Sequence, residues 1–134
     1  MLSRSGKSTQ IPQYLLDAPF VRKLGLSLCV TQPRRVAAIT VANRVARERN
    51  VRLGSEVGYR VRFDDKTHFG TKLIYATDGM LLRQAMLDPL LSSYSVILLD
   101  EAHQRSLQTD VLVSTHIASF SQILNFVSSK KTLI

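Results

Sequence analysis

A chain of 134 residues with 45% apolar and 21% charged side chains is the size of one globular domain, and no apolar run reaches the length of a membrane span. A formal net charge of +8 points toward a polyanionic partner, with a solvated basic helix face as the alternative. The single cysteine excludes an internal disulfide, and no secretory signal precedes the first apolar segments, so an intracellular, reducing location is expected.

Ser5-Gly6-Lys7-Ser8-Thr9 reads as the second half of a phosphate-binding loop. In such a loop backbone N–H groups and a helix N-terminus cradle phosphates, the lysine reaches the β- and γ-phosphates, and the serine hydroxyl binds Mg²⁺. Ile11, Tyr14 and Leu15 then recur at helical spacing, which predicts a helix from Lys7 to about Leu16. Pro12 lies near its first turn and predicts a local distortion without a break. Asp17, Ala18 and Pro19 should end the helix.

Leu26 to Thr31 is a short apolar run and the next expected strand, with Cys29 as a small core residue. Gln32-Pro33-Arg34-Arg35 turns it into a helix running to about Arg49, whose buried stripe is Ala38, Val41, Ala42 and Val45. Of the twelve arginines, eight fall between Arg34 and Arg62, so the basic surface should centre here. Arg34 and Arg35 stand where guanidinium groups and helix N–H donors can meet a nucleic-acid phosphate; arginines without a ligand are the alternative.

Val57, Tyr59, Val61 and Phe63 alternate with Gly58, Arg60 and Arg62, the period of a half-exposed strand, and Asp64 to Thr67 should form its turn. Lys72 to Ala76 is a further strand, and Met80 to about Asp88 a helix capped by Thr77 or Asp78. Val96-Ile97-Leu98-Leu99 has four large aliphatics without alternation, as suits a strand covered on both faces, and it ends abruptly at Asp100-Glu101. Carboxylates at that end of a parallel strand are placed to handle a metal-nucleotide, Asp100 to hold Mg²⁺ directly or through water and Glu101 to polarise the attacking water; a strand that simply ends in a polar turn is the alternative. Beyond them, Ser106 to Asp110 suggests a helix entry with a seam through Val113, Ile117, Phe120, Leu124 and Val127, and Lys130 to Ile134 a last strand. Alternating strands and helices predict an α/β fold with a mainly parallel sheet and helices on both faces.

Four ordered motifs are thus present: Ser-Gly-Lys-Ser-Thr-Gln at 5–10, Thr-Gln-Pro-Arg-Arg-Val-Ala-Ala at 31–38, Thr-Asp-Gly-Met-Leu-Leu-Arg at 77–83 and Asp-Glu-Ala-His at 100–103. Together they closely resemble the first RecA-like domain of DEAH-box ATP-dependent RNA helicases. The resemblance implies a three-layer RecA-like P-loop NTPase fold, with residues 1–134 forming a partial domain. The strand before the loop, the Ser-Ala-Thr motif and the second RecA-like domain are expected to be absent.

The same resemblance implies that Ser5, Gly6, Lys7, Ser8 and Thr9 bind ATP, that Ser8 and Asp100 hold Mg²⁺, and that Glu101 activates water. It makes His103 the link to the second domain, and Arg34, Arg35, Thr77 and Arg83 contacts to the RNA sugar-phosphate backbone. Lys7, Asp100, Glu101 and His103 are accordingly the expected catalytic set. Gln104 departs from the family, which usually has Glu there. Partners implied are RNA and a protein activator, with no membrane, and the family's usual site is the nucleus. Arginine fingers from a second domain are worth roughly 10³ to 10⁵ in rate, so weak or absent turnover is expected of this chain alone. The competing reading is a catalytically silent segment that binds RNA or a helicase partner.

Overall fold

β-branched and large aliphatic residues concentrate in four runs of this chain, and those runs pair side by side. A computed structural model describes residues 7–100. The elements run α1 (Lys7–Asp17), α2 (Pro19–Leu24), β1 (Ser27–Gln32), α3 (Arg35–Glu48), β2 (Val57–Val61), β3 (Asp64–Lys66), β4 (Leu73–Thr77), α4 (Asp78–Leu87) and β5 (Tyr94–Leu99). Among the described residues they form one five-stranded sheet in the order β3-β2-β4-β1-β5. β2, β4, β1 and β5 are mutually parallel, and β3 alone runs antiparallel, against β2.

Strand alternation divides the core between the two faces of the sheet. Leu28 and Val30 of β1, Leu73 and Tyr75 of β4 and Val96 and Leu98 of β5 pack in one cluster with Val41, Ala42 and Val45 of α3 and Leu16 of α1. Their neighbours Cys29, Ile74, Ala76, Ile97 and Leu99 pack on the opposite face with Leu81 and Ala85 of α4. The result is the expected α/β arrangement of three layers. Cys29 is fully buried, and desolvation pushes its thiol up to about 12, as befits an inert core residue.

The structure departs from expectation at three places. Pro19 does end α1, yet it also opens α2, where its fixed φ and missing N–H suit the first helical turn; Gly25, at φ 65°, closes that helix. Asp64 to Lys66 is a strand where the sequence predicts a turn: Val61 pairs with Asp64, so the hairpin loop is Arg62-Phe63. Phe63 therefore leaves the strand, taking φ 67° with its ring exposed. β2 is also less exposed than its alternation suggests. Gly58 is buried because a Cβ there would lie 2.0 Å from the Lys66 carbonyl oxygen, and only glycine lets β3 come so close. The expected elements after the acid pair, Ser106 to Val127 and Lys130 to Ile134, lie outside the described residues.

Arg49 ties three segments together where α3 ends. Its Nη2 and Nη1 donate to the two carboxylate oxygens of Asp17 at 2.9 and 3.1 Å, and its Nε donates to Glu56 at 2.6 Å. The fork geometry of guanidinium makes this double engagement possible. The Arg49 hydrogen bonds, opposed in part by desolvation, hold the Asp17 carboxyl below its ordinary value. A group so depressed contributes stability that is present above its unfolded pKa of about 3.9 and lost as pH falls through the lower folded value. Arg49→Met should therefore cost about 1–2 kcal/mol at pH 7. In urea melts the deficit should shrink as pH falls from 7 to 3, because the unfolded state takes up the Asp17 proton before the folded parent does.

Candidate nucleotide and nucleic-acid interface

Parallel strands deliver their carboxyl ends to one edge of the sheet, where β1 and β4 end in Gln32 and Thr77 and β5 is followed by an acid. β5 is buried along its whole length and ends at Leu99, so Asp100 emerges at that edge. α1 begins with Lys7 and is buried at Ser8 and Thr9, which brings the helix start to the same edge. Across 92 positions of sequence, the Ser8 hydroxyl donates a hydrogen bond to Asp100 Oδ2. Gln32, the last residue of β1, donates to the same oxygen from its Nε2. The two halves of the expected Mg²⁺ site, Ser8 and Asp100, thus meet directly.

In the sequence Gln32 falls within the motif at 31–38 and the turn before Pro33, with no role of its own assigned to it. It is buried, and its amide fixes the carboxylate that Ser8 also holds. No local pattern marks such a role; only the parallel pairing of β1 with β5 places residue 32 beside residue 100. A serine hydroxyl and a carboxylate are hard oxygen donors of the kind Mg²⁺ takes, usually with several waters retained. The donor set fits that ion. Among the described residues no cluster of three or more His, Cys, Asp or Glu forms a separate metal centre.

Two further positions support the same edge. Tyr75 of β4, buried, donates from its hydroxyl to the Ser8 carbonyl at 2.7 Å. Gln10 and Gln13 of α1 both donate to Glu48 of α3, at 2.9 and 3.1 Å. The helix start is therefore anchored from the sheet below and from α3 beside it.

The expected nucleic-acid contacts fall into two neighbouring depressions. Arg34 shares a cleft of about 330 Å³ with Ser8, Gln32, Val36 and Ala37. Thr77 and Arg83 share another, of about 410 Å³, with Pro33, Arg62 and Met80. Arg35 joins the second region indirectly, its Nη1 donating to the Arg62 carbonyl at 2.8 Å. Thr77 caps α4 as expected, its hydroxyl accepting from the Met80 N–H at 3.4 Å. Arg62, expected only as an outward strand residue, is the basic group that sequence reasoning missed here; it also stacks over Phe63, 4.8 Å from the ring centroid.

The arginine cluster is less available than its count suggests. Arg44, Arg49 and Arg60 are paired with Glu48, with Asp17 and Glu56, and with Asp65, while Arg60 also donates to Tyr94 and Thr67. These arginines build the protein. Ser5, Gly6, Glu101 and His103 lie outside the described residues, and Lys7 is placed only as the start of α1.

No family model matches the chain. Among curated relatives, it is 60% identical over 110 residues to the pre-mRNA-splicing factor ATP-dependent RNA helicase DEAH10 of Arabidopsis thaliana, a match covering 82% of this chain and 15% of that protein. It is 60% identical over 109 residues to the human probable ATP-dependent RNA helicase DHX35, covering 81% of this chain and 15% of that one. The Caenorhabditis elegans DHX35 homolog matches at 49% over 130 residues, 96% of this chain and 18% of its own length. The chain thus spans less than a fifth of these relatives. Among solved structures, the Escherichia coli DExH-box NTPase HrpB superposes with a TM-score of 0.85 at 34% identity, over 96% of this chain and 15% of that one.

Because Gln32 is buried and bonded to a carboxylate, Gln32→Ala should destabilise the protein by about 1.5–3 kcal/mol. A lower urea midpoint with unchanged slope would register it. Gln32→Asn, one methylene shorter, should not restore the loss.

Proposed function

We propose, for a chain that belongs to the DEAH-box ATP-dependent RNA helicase family, that its carboxyl-end sheet edge is one wall of an ATP-hydrolysing site coupled to RNA. The chain is part of a first RecA-like domain in this reading. The observation that carries it is the bond from Ser8 to Asp100, which joins the phosphate-loop segment to the acid pair.

In the mechanism, Ser5 to Thr9 and the N-terminus of α1 receive the phosphates, with Lys7 compensating the charge on the β- and γ-phosphoryl oxygens. Ser8 and Asp100 would hold Mg²⁺ in place of their direct bond, with Gln32 keeping the carboxylate oriented. Bound there, the ion would neutralise charge developing on the transferred phosphoryl group. Glu101 accepts the proton of the attacking water, and His103 relays the state of the nucleotide to a second domain. Arg34, Arg35, Thr77 and Arg83 meet the RNA sugar-phosphate backbone, which carries no base information. The Arabidopsis relative is named a pre-mRNA-splicing factor, which supports RNA processing in the nucleus as the setting.

A melt with and without Mg²⁺-ATP, repeated on Lys7→Ala, tests the nucleotide site. Ligand at a hundred times its dissociation constant should add about 2.7 kcal/mol to the parent and nothing to the variant. A transition indifferent to ATP in the parent would overturn the reading.

Binding to RNA without turnover is the second reading, favoured by the exposed Arg34 and Arg83 bordering the two depressions. Lys7→Ala should leave such binding largely intact. Arg83→Ala should weaken RNA binding for all sequences alike and flatten the plot of log affinity against log salt by roughly one. A titration of single-stranded RNA at several salt concentrations gives that slope.

A further inference from the structure

α1 contains a proline that a regular helix would not tolerate well, and the fold answers it from outside the helix. In an α-helix the carbonyl of residue 8 accepts from the N–H of residue 12. Here residue 12 is Pro12, inside α1 and buried, and it has no N–H to give. The helix nevertheless runs unbroken from Lys7 to Asp17. The carbonyl deprived of its donor is the one the Tyr75 hydroxyl reaches, at 2.7 Å and in a buried setting. A buried carbonyl without a donor carries a desolvation penalty, so this bond is needed where it stands.

Its position gives it a second effect. Tyr75 is fully buried in the middle of the sheet, paired with Val30 of β1 and Tyr59 of β2, so its ring is held by packing on both sides. Its hydroxyl therefore fixes the backbone of Ser8 at a set height above the sheet. The Ser8 side chain is the donor to Asp100. We propose that Tyr75 is a positioning residue for the nucleotide site: it supplies the hydrogen bond that Pro12 cannot, and so sets the first turn of α1 against Asp100. The positioning role rests on the nucleotide reading given above, whereas the replacement of the lost donor does not.

Four chains test it: the parent, Tyr75→Phe, Pro12→Ala and the double variant. Alanine at position 12 restores the helical N–H, so the Tyr75 hydroxyl becomes dispensable. Without nucleotide, Tyr75→Phe should lower the melting temperature of the parent and do so much less in the chain already carrying Pro12→Ala. Equal losses in the two backgrounds would overturn the proposal. Mg²⁺-ATP affinity should follow the same pattern, falling about tenfold for Tyr75→Phe alone and recovering in the double variant. Tyr59→Phe, which removes a hydroxyl bonded to Asp64 at 2.7 Å, should lower stability and leave ATP affinity alone. If Tyr59→Phe weakens ATP as much as Tyr75→Phe does, the positioning role fails. If the parent itself binds no ATP, the nucleotide reading and the positioning role fall together, and the nucleotide-free melts still decide whether Tyr75 replaces the Pro12 donor.

Discussion

One carboxylate oxygen, Oδ2 of Asp100, accepts from two distant parts of the described chain: from Ser8 at the start of α1 and from Gln32 at the end of β1. Most of the architecture serves that meeting. β1 and β5 must be parallel neighbours for residues 32 and 100 to emerge at one edge, and β4 must lie beside β1 for Tyr75 to rise beneath Ser8. A parallel sheet needs long crossovers, which α3 and α4 provide while covering its two faces. Burial of β5 on both faces then leaves its terminal carboxylate as the first polar group to leave the core.

The bond between Ser8 and Asp100 also shows how chemistry can be legible across a long separation. A phosphate-loop serine and a carboxylate after an apolar run each lack a purpose alone, and each supplies what the other needs. That complementarity identifies them from the sequence, along with the parallel order of the strands that join them. Gln32 and Tyr75 escape because their partners are set by strand register, which no nearby residue announces. α2 escapes because six residues, Pro19 included, are too few for a helical period to emerge. Asp64-Asp65-Lys66 looks like a turn because an edge strand facing water can carry the same charged residues. Phe63 looks like a strand residue because its apolar character continues the alternation that the hairpin loop in fact interrupts.

Charge is the least reliable guide, for a physical reason. Composition counts every arginine equally, yet a guanidinium with five donors serves a protein's own carboxylates as readily as a ligand's phosphates. Arg49 and Arg60 each satisfy several internal acceptors and are largely shielded from solvent. Arg34 and Arg83, which border the two depressions, are exposed, as are Arg35, Arg47 and Arg62. Location relative to the sheet edge separates the two groups where number cannot.

The β2–β3 hairpin has a consequence for how the protein behaves in a crowd. An uncovered sheet edge invites a strand from another molecule, and proteins blunt such edges with short, charged strands. β3 is three residues long, Asp-Asp-Lys, and the close approach at Gly58 holds it tightly over the flank of β2. Any chain attempting to extend the sheet from that side would meet two carboxylates and too few backbone partners to form a ladder. That flank is thereby protected against sheet-to-sheet aggregation. A bulkier residue at position 58 would threaten this protection by loosening β3, even though it lies far from the Asp100 edge in its own strand.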